Sequence, residues 1–306
     1  MLLRRVAAMA AALSLGGSAA SAERGSDGQL NILYWQAVSI MTPYLANGLK
    51  DGEAASLVLE PLARFDETGA MVPWLAEEIP TLENGGVAED LMSITWRLQD
   101  GLLWSDGAPV TSQDVIFTWE YCTHPEAGCA QLTGFSDVAD VEAVDAQTVR
   151  VIFDVAKPYP HGPFVGMLSP IIQKAQFQDC LGPKMPECTE QNFAPIGTGP
   201  YVVDEFRAND VVSYSINPHY RDPDKPAFAN VVLKGGGDAA SAARSVLETG
   251  EFDYAWNTQV EPEILAQMAE GGRGEVISAF GTLAERIEVN QTDPNPAFGG
   301  ARSTLA

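Results

Sequence analysis

Basic residues are scarce in this sequence: 18 Lys and Arg stand against 41 Asp and Glu among 306 residues. The formal charge of −23 repels phosphate backbones and anionic headgroups, so neither nucleic acid nor an anionic membrane surface is expected as a partner. Histidine is scarcer still, at positions 124, 161 and 219 only, which leaves little for a metal cage or a histidine-based catalytic relay. The serine-hydrolase elbow G-x-S-x-G, the zinc-protease H-E-x-x-H and the phosphate loop G-x-x-x-x-G-K-[ST] are all absent. Paired carboxylates are too common in so acidic a chain to mark a glycosidase. Beyond the N-terminal segment no apolar run of 18 residues occurs, so nothing later reads as a transmembrane helix. The expectation is a protein without catalytic activity, cofactor or metal.

What is present begins with "MLLRRVAAMAAALSLGGSAASA", residues 1–22. Arg4 and Arg5 form a positive start, Val6 to Leu15 a short apolar core, and Ala20-Ser21-Ala22 a small-residue cleavage site, the three parts of a secretory signal. An exported, periplasmic protein starting at Glu23 is expected. Cleavage would leave 16 basic residues against 41 acidic ones, a formal −25. That charge suits cationic ligands, and equally a solvated acidic surface. The four cysteines fall into two local pairs, "CTHPEAGC" (Cys122, Cys129) and "CLGPKMPEC" (Cys180, Cys188). Four cysteines allow three pairings; an oxidising compartment and Pro/Gly-rich loops favour the two local ones. Zinc, which would want closer ligand spacing, and free thiols are the alternatives.

The pattern along the chain is mixed α/β, with no internal repeat. "QLNILYW" (residues 29–35) reads as a first buried strand, and residues 54–62 as a short apolar helix ended by Pro61. "SITWRL" (93–98) alternates as a strand. A helix then starts at Thr111, with Asp114 completing a capping box and Val115, Ile116 and Trp119 as its buried face. Residues 149–155 read as another strand, and 177–193 as loop. "PYVVDEFRANDVVSYSINPHY" is a hairpin turning at 207–210. Strand, helix and strand follow over 228–256, with Asp238 as N-cap, then a helix "PEILAQMAEGG" and a last strand "ERIEVN". Gly235-x-Gly237-x-x-Ala240, with Asp253 further on, is a degenerate dinucleotide fingerprint; a Gly-rich strand-to-helix turn explains it as well.

Several segments, taken in order, resemble one family. "WSDGAPVTSQD" carries Trp104, Asp106, Gly107, Pro109, Val110, Thr111 and Asp114. This is similar to a signature of the extracellular solute-binding proteins of family 5, the oligopeptide-, dipeptide- and nickel-binding components of ABC importers. "VPWLAEE" (72–78), "GTGPY" (197–201), "NPHY" (217–220), "LETGEFD" (247–253) and "VNQTDPN" (289–295) match further elements of that pattern. The resemblance implies an α/β fold: a periplasmic-binding-protein type II-like lobe, its mixed sheet flanked by helices, with an inserted β-rich subdomain. Its parts would be 1–22 signal, 23–62 and 190–289 lobe one, 63–189 the insertion, and 290–306 the start of the crossing to a second lobe. Members continue into that lobe, whereas this sequence stops at Ala306, so the second lobe is expected to be missing. Two glycines in "GTGPY" would serve φ > 0 or close chain approach in a structural joint.

The implied function is capture of peptides or a related small solute for import, by a monomer that docks on permease subunits in the inner membrane. An exported hydrolase or a ligand-sensing adaptor for a membrane receptor are the other readings. Ligand-binding residues are expected where strands end on the cleft side: Trp35, Gln36 and Ser39 after the first strand, and Trp256, Asn257 and Thr258 after "FDYAW". Aromatics there can stack on ligand while polar neighbours hydrogen-bond it.

Overall fold

The structure, a computed structural model, describes residues 23–46 and 48–278. The signal segment, the strand "ERIEVN" and the crossing segment lie outside the described residues. Strand β1 (Gln29–Tyr34) forms where expected and becomes buried towards its end, at Leu33 and Tyr34. The helix expected over 54–62 forms earlier instead, as α1 (Leu49–Ala55), and residues 59–62 run on without helix. Two causes act together. Pro61 disfavours a helical residue before it, and the carbonyls of Leu57 and Val58 accept from Tyr201 and Gly199 rather than from a following helical turn. The apolar spacing that mimicked a helix is core all the same: Ala54, Ala55, Val58, Leu59 and Leu62 are all buried.

The chain next makes a small hairpin of β2 (Ala63–Phe65) and β3 (Met71–Pro73), then β4 (Ser93–Arg97). Helix α2 (Ser112–Thr123) starts as its sequence requires, with the Thr111 N–H donating to Asp114 Oδ2 at 2.9 Å. Its buried face differs from expectation: Val115 is buried, but Ile116 and Trp119 are only half-buried, and Phe117, Thr118 and Tyr121 go inside. The reason is a segment over the helix at 172–174, which takes the Thr118 hydroxyl through the Ile172 N–H (3.0 Å) and Asp114 Oδ1 through the Lys174 N–H (3.0 Å). Strands β5 (Val138–Ala143) and β6 (Thr148–Phe153) join β4 in an antiparallel sheet of order β4-β6-β5. Trp96, Trp104, Phe117, Tyr121, Phe135, Phe164 and Phe177 fill the core beside it. The segment expected as loop is partly helical: it holds the end of α3 (Lys174–Phe177), a 3₁₀ turn over Gly182–Glu187, and α4 (Thr189–Phe193).

Both local cysteine pairs are disulfides, Cys122–Cys129 and Cys180–Cys188, and no described cysteine is free. The first ties the last turn of α2 to the loop that follows it, and the second ties the stretch after α3 to the residue that precedes α4. A bridge closing a loop of about eight residues removes roughly 2.5 kcal/mol of unfolded-state entropy on the chain-entropy account. The Cys180→Ala/Cys188→Ala protein should therefore unfold about 2.5 kcal/mol more easily in urea. An unchanged midpoint would place the bridge outside the folding equilibrium.

The chain then returns to β1. Hairpin β7 (Tyr201–Arg207) and β8 (Val211–Ile216) leads to β9 (Asn230–Gly235), α5 (Ala239–Leu247), β10 (Tyr254–Trp256) and α6 (Pro262–Ala269). The five-stranded sheet has the order β10-β1-β9-β8-β7. Strands β10, β1 and β9 are parallel, and β8 and β7 antiparallel to their neighbours. The "GTGPY" joint works by close approach. A methyl carbon at Gly197 would overlap the Val58 carbonyl oxygen, and one at Gly199 would stand 2.7 Å from the Leu57 oxygen. Neither glycine has a positive φ.

Candidate functional site

The chain passes from β9 through α5 to β10 across β1, so the parallel strands end side by side around the first strand. Open α/β sheets bind ligands at such carboxyl ends. Here those ends bring together residues that are far apart in sequence. Tyr34 pairs in register with Trp256, and their rings stack with centroids 4.8 Å apart. The Trp35 indole N–H donates to the Asn257 carbonyl at 2.8 Å. Gln36 and Asn257 are exposed, while Trp35, Trp256 and Thr258 are half-buried. Asn257 has φ +50, a left-handed turn that ends β10.

Ser39 sits apart in its role. Its hydroxyl donates to Asp51 Oδ1 at 3.1 Å and accepts the Lys50 ammonium at 3.0 Å, and its N–H also goes to Asp51 (2.7 Å). Asp51, 3% exposed, thus holds the loop after β1, and the sequence reading missed it. An acidic residue in the first turn of a short helix was the only signal, and that is common.

Glu53, on the same helix, accepts the Tyr34 hydroxyl at 2.9 Å. Burial raises its pKa above the usual carboxylate value, partly offset by that hydrogen bond. A carboxyl raised in the folded state gives stability that is present at low pH and lost as pH rises through its folded pKa. Glu53→Gln should therefore be no less stable than the native protein at pH 7, and its advantage should shrink as pH falls towards the unfolded carboxyl range. Denaturant midpoints of both proteins across pH test this; an advantage that grows on acidification would contradict it.

A fully buried carboxylate joins stretches that lie far apart in the sequence. Glu60, 2% exposed, takes two hydrogen bonds from the Arg221 guanidinium, at 2.6 and 3.1 Å, and one from the Trp74 indole at 2.6 Å. The Arg64 guanidinium lies over the Trp74 ring.

The glycine-rich turn has structural duties. Gly235 is packed against Ala37, where a side chain would collide. Asp238 caps α5 by accepting the Ser241 N–H at 2.9 Å, and Asp253 accepts the Asn31 N–H at 2.8 Å. A separate open groove, lined by Trp104, Thr111, Gln173 and Lys174 among others, shares no residue with the strand ends. Among the described residues no three His, Cys, Asp or Glu stand together as metal ligands, and no helix is long and apolar enough to cross a membrane.

A mixed sheet with adjoining parallel strand ends, interrupted after its first strand by a segment with its own sheet and core, defines the lobe of a periplasmic-type solute-binding protein. The chain belongs to the bacterial extracellular solute-binding proteins, family 5, whose model matches residues 70–300. Among curated relatives, Protein XP55 of Streptomyces lividans is 29% identical over 264 residues, 82% of this chain and 44% of that protein. The periplasmic murein peptide-binding protein MppA of Escherichia coli is 27% identical over 234 residues, 70% of this chain and 40% of its own length. The chain thus spans less than half the length of these relatives. The crystal structure of the ABC transporter substrate-binding protein CtaP of Listeria monocytogenes shares the fold at 24% identity, with TM-score 0.67 over 80% of this chain and 47% of that one.

Proposed function

We propose that the protein captures peptides, or a related small solute, in the periplasm and delivers them as a monomer to the permease subunits of an ABC importer. The observation that carries this reading is the convergence of Trp35, Trp256 and Asn257 at the parallel strand ends. Family membership supports solute binding, and the murein peptide-binding relative supports peptides as the solute class. In this reading residues 23–62 and 190–289 form one lobe and 63–189 its insertion. The signal segment directs export. Trp35 and Trp256 stack on solute; Gln36, Asn257 and Thr258 hydrogen-bond it, and Ser39 keeps the loop in place through Asp51.

Titration calorimetry with a tri- to pentapeptide library tests the proposal. Trp256→Ala should weaken the best peptide by about tenfold or more, as loss of an aromatic anchor does. No heat from any peptide at millimolar concentration, or turnover of the peptides, would overturn it.

A further inference from the structure

The Glu53 carboxylate has no cationic partner among the described residues. Lys50, one turn earlier on α1, gives its ammonium to both oxygens of Asp51, each at 2.8 Å. Among the described residues, the Tyr34 hydroxyl alone donates a hydrogen bond to the Glu53 carboxylate. Tyr34 in turn is stacked at 25° on Trp256. Tyr254 precedes Trp256 by two residues on β10, the outermost described strand of its sheet, so both rings stand on the same face of the sheet. Tyr254 is 50% exposed, and Trp256 half-buried. The sheet edge therefore offers, in one place, an uncompensated carboxylate and two accessible aromatic rings.

Those groups select the same ligand chemistry. A partly desolvated carboxylate attracts a cation more strongly than an exposed one does, and aromatic faces hold ammonium and guanidinium groups through the ring quadrupole. An anion would meet repulsion from both. We infer that Glu53, Trp256 and Tyr254, with Tyr34 orienting the carboxylate, form a subsite for a primary ammonium or guanidinium group, so that the captured solute is cationic. This rests on the solute-capture reading and adds the charge of the solute to it. Burial raises the pKa of Glu53, and a cation bound beside it would favour the charged form again.

The test follows the Trp256 indole N–H by two-dimensional nuclear magnetic resonance on the full chain, with Trp256→Phe used for assignment. Three probes are titrated: acetyl-lysine methylamide, its neutral analogue acetyl-norleucine methylamide, and alanine methylamide, which carries only an α-ammonium. The lysine probe, the α-ammonium probe or both should bind about tenfold tighter than the norleucine probe, and which of them does identifies the source of the cation. Glu53→Gln, which keeps an oxygen to accept the Tyr34 hydroxyl, should reduce that preference to about twofold or less while leaving the fold intact. Tyr254→Leu, at an exposed position, should reduce it in part. A purely structural Glu53 would leave the preference unmoved in Glu53→Gln. Equal binding of cationic and neutral probes, or a preference that survives Glu53→Gln, would overturn the subsite and leave peptide capture standing. A Glu53-dependent cation response in a protein that binds no peptide would support the subsite and remove the peptide reading.

Discussion

Gly197→Ala should lose about 3 kcal/mol or more of folding stability, the largest effect expected from adding a single methyl group to this chain. The added carbon would overlap the Val58 carbonyl oxygen and lie 2.6 Å from the Val58 carbonyl carbon. Both obstacles are backbone, so no rotamer change relieves them. The chain can respond only by parting the 57–58 segment from the joint. That would break the Gly199 N–H to Val58 bond (2.8 Å) and the Tyr201 N–H to Leu57 bond (3.1 Å) and strand two buried carbonyls. Gly162→Ala is the control: no atom lies within 4 Å of its added carbon and its φ is not positive. It should unfold within about 0.5 kcal/mol of the native protein. A native-like urea midpoint for Gly197→Ala would refute the close-approach account of the joint.

Arg221→Met should cost about 3–5 kcal/mol, because it leaves the Glu60 carboxylate buried with one neutral donor, the Trp74 indole. The loss belongs to the stranded charge more than to the missing contact. The double variant Glu60→Gln/Arg221→Met should therefore recover most of it. Arg221→Lys should recover only part, since an ammonium cannot reproduce the two parallel bonds to Glu60. Thermal and urea unfolding of the three variants decides the matter. A double variant as unstable as Arg221→Met alone would show that the arginine acts by packing on Trp74 and Tyr220 instead of by neutralising Glu60.

These two sites also mark the limit of what a sequence reveals. Local rules carried far: the Thr111/Asp114 cap, the Asp238 cap, the β7–β8 hairpin and both disulfides depend on residues within about ten positions of each other, where spacing is informative. The mixed α/β class followed from the alternation of strand and helix patterns. The joint at Gly197 was legible as a joint, but which of two uses its glycines served depended on a segment 139 positions earlier in the chain, at Val58. Glu60 and Arg221 are 161 residues apart, and in an acidic chain no single glutamate stands out as the buried one. The helix misplaced over 54–62 failed for the same reason, since its carbonyls are taken by a distant strand. At the site, strand ends could be read as candidates, and Trp35 with Asn257 are in contact. Asp51 and Glu53 were invisible because their partners are a loop N–H and a tyrosine hydroxyl, which leave no pattern.

The placement of β1 between β9 and β10 in the larger sheet has a consequence for the order in which the molecule assembles. Gln29 pairs with Asn230 and Ile32 with Tyr254, so the first strand made is flanked on both sides by nearly the last. Closing a loop of about 200 residues costs more chain entropy than any local pairing, and such contacts slow folding. Strands β4, β5 and β6, by contrast, lie within residues 93–153 and pair with one another. Their sheet can form while β1 is still without neighbours. In refolding experiments, hydrogen-exchange protection should therefore reach amides of β6 before those of β1, although β1 leaves the ribosome first.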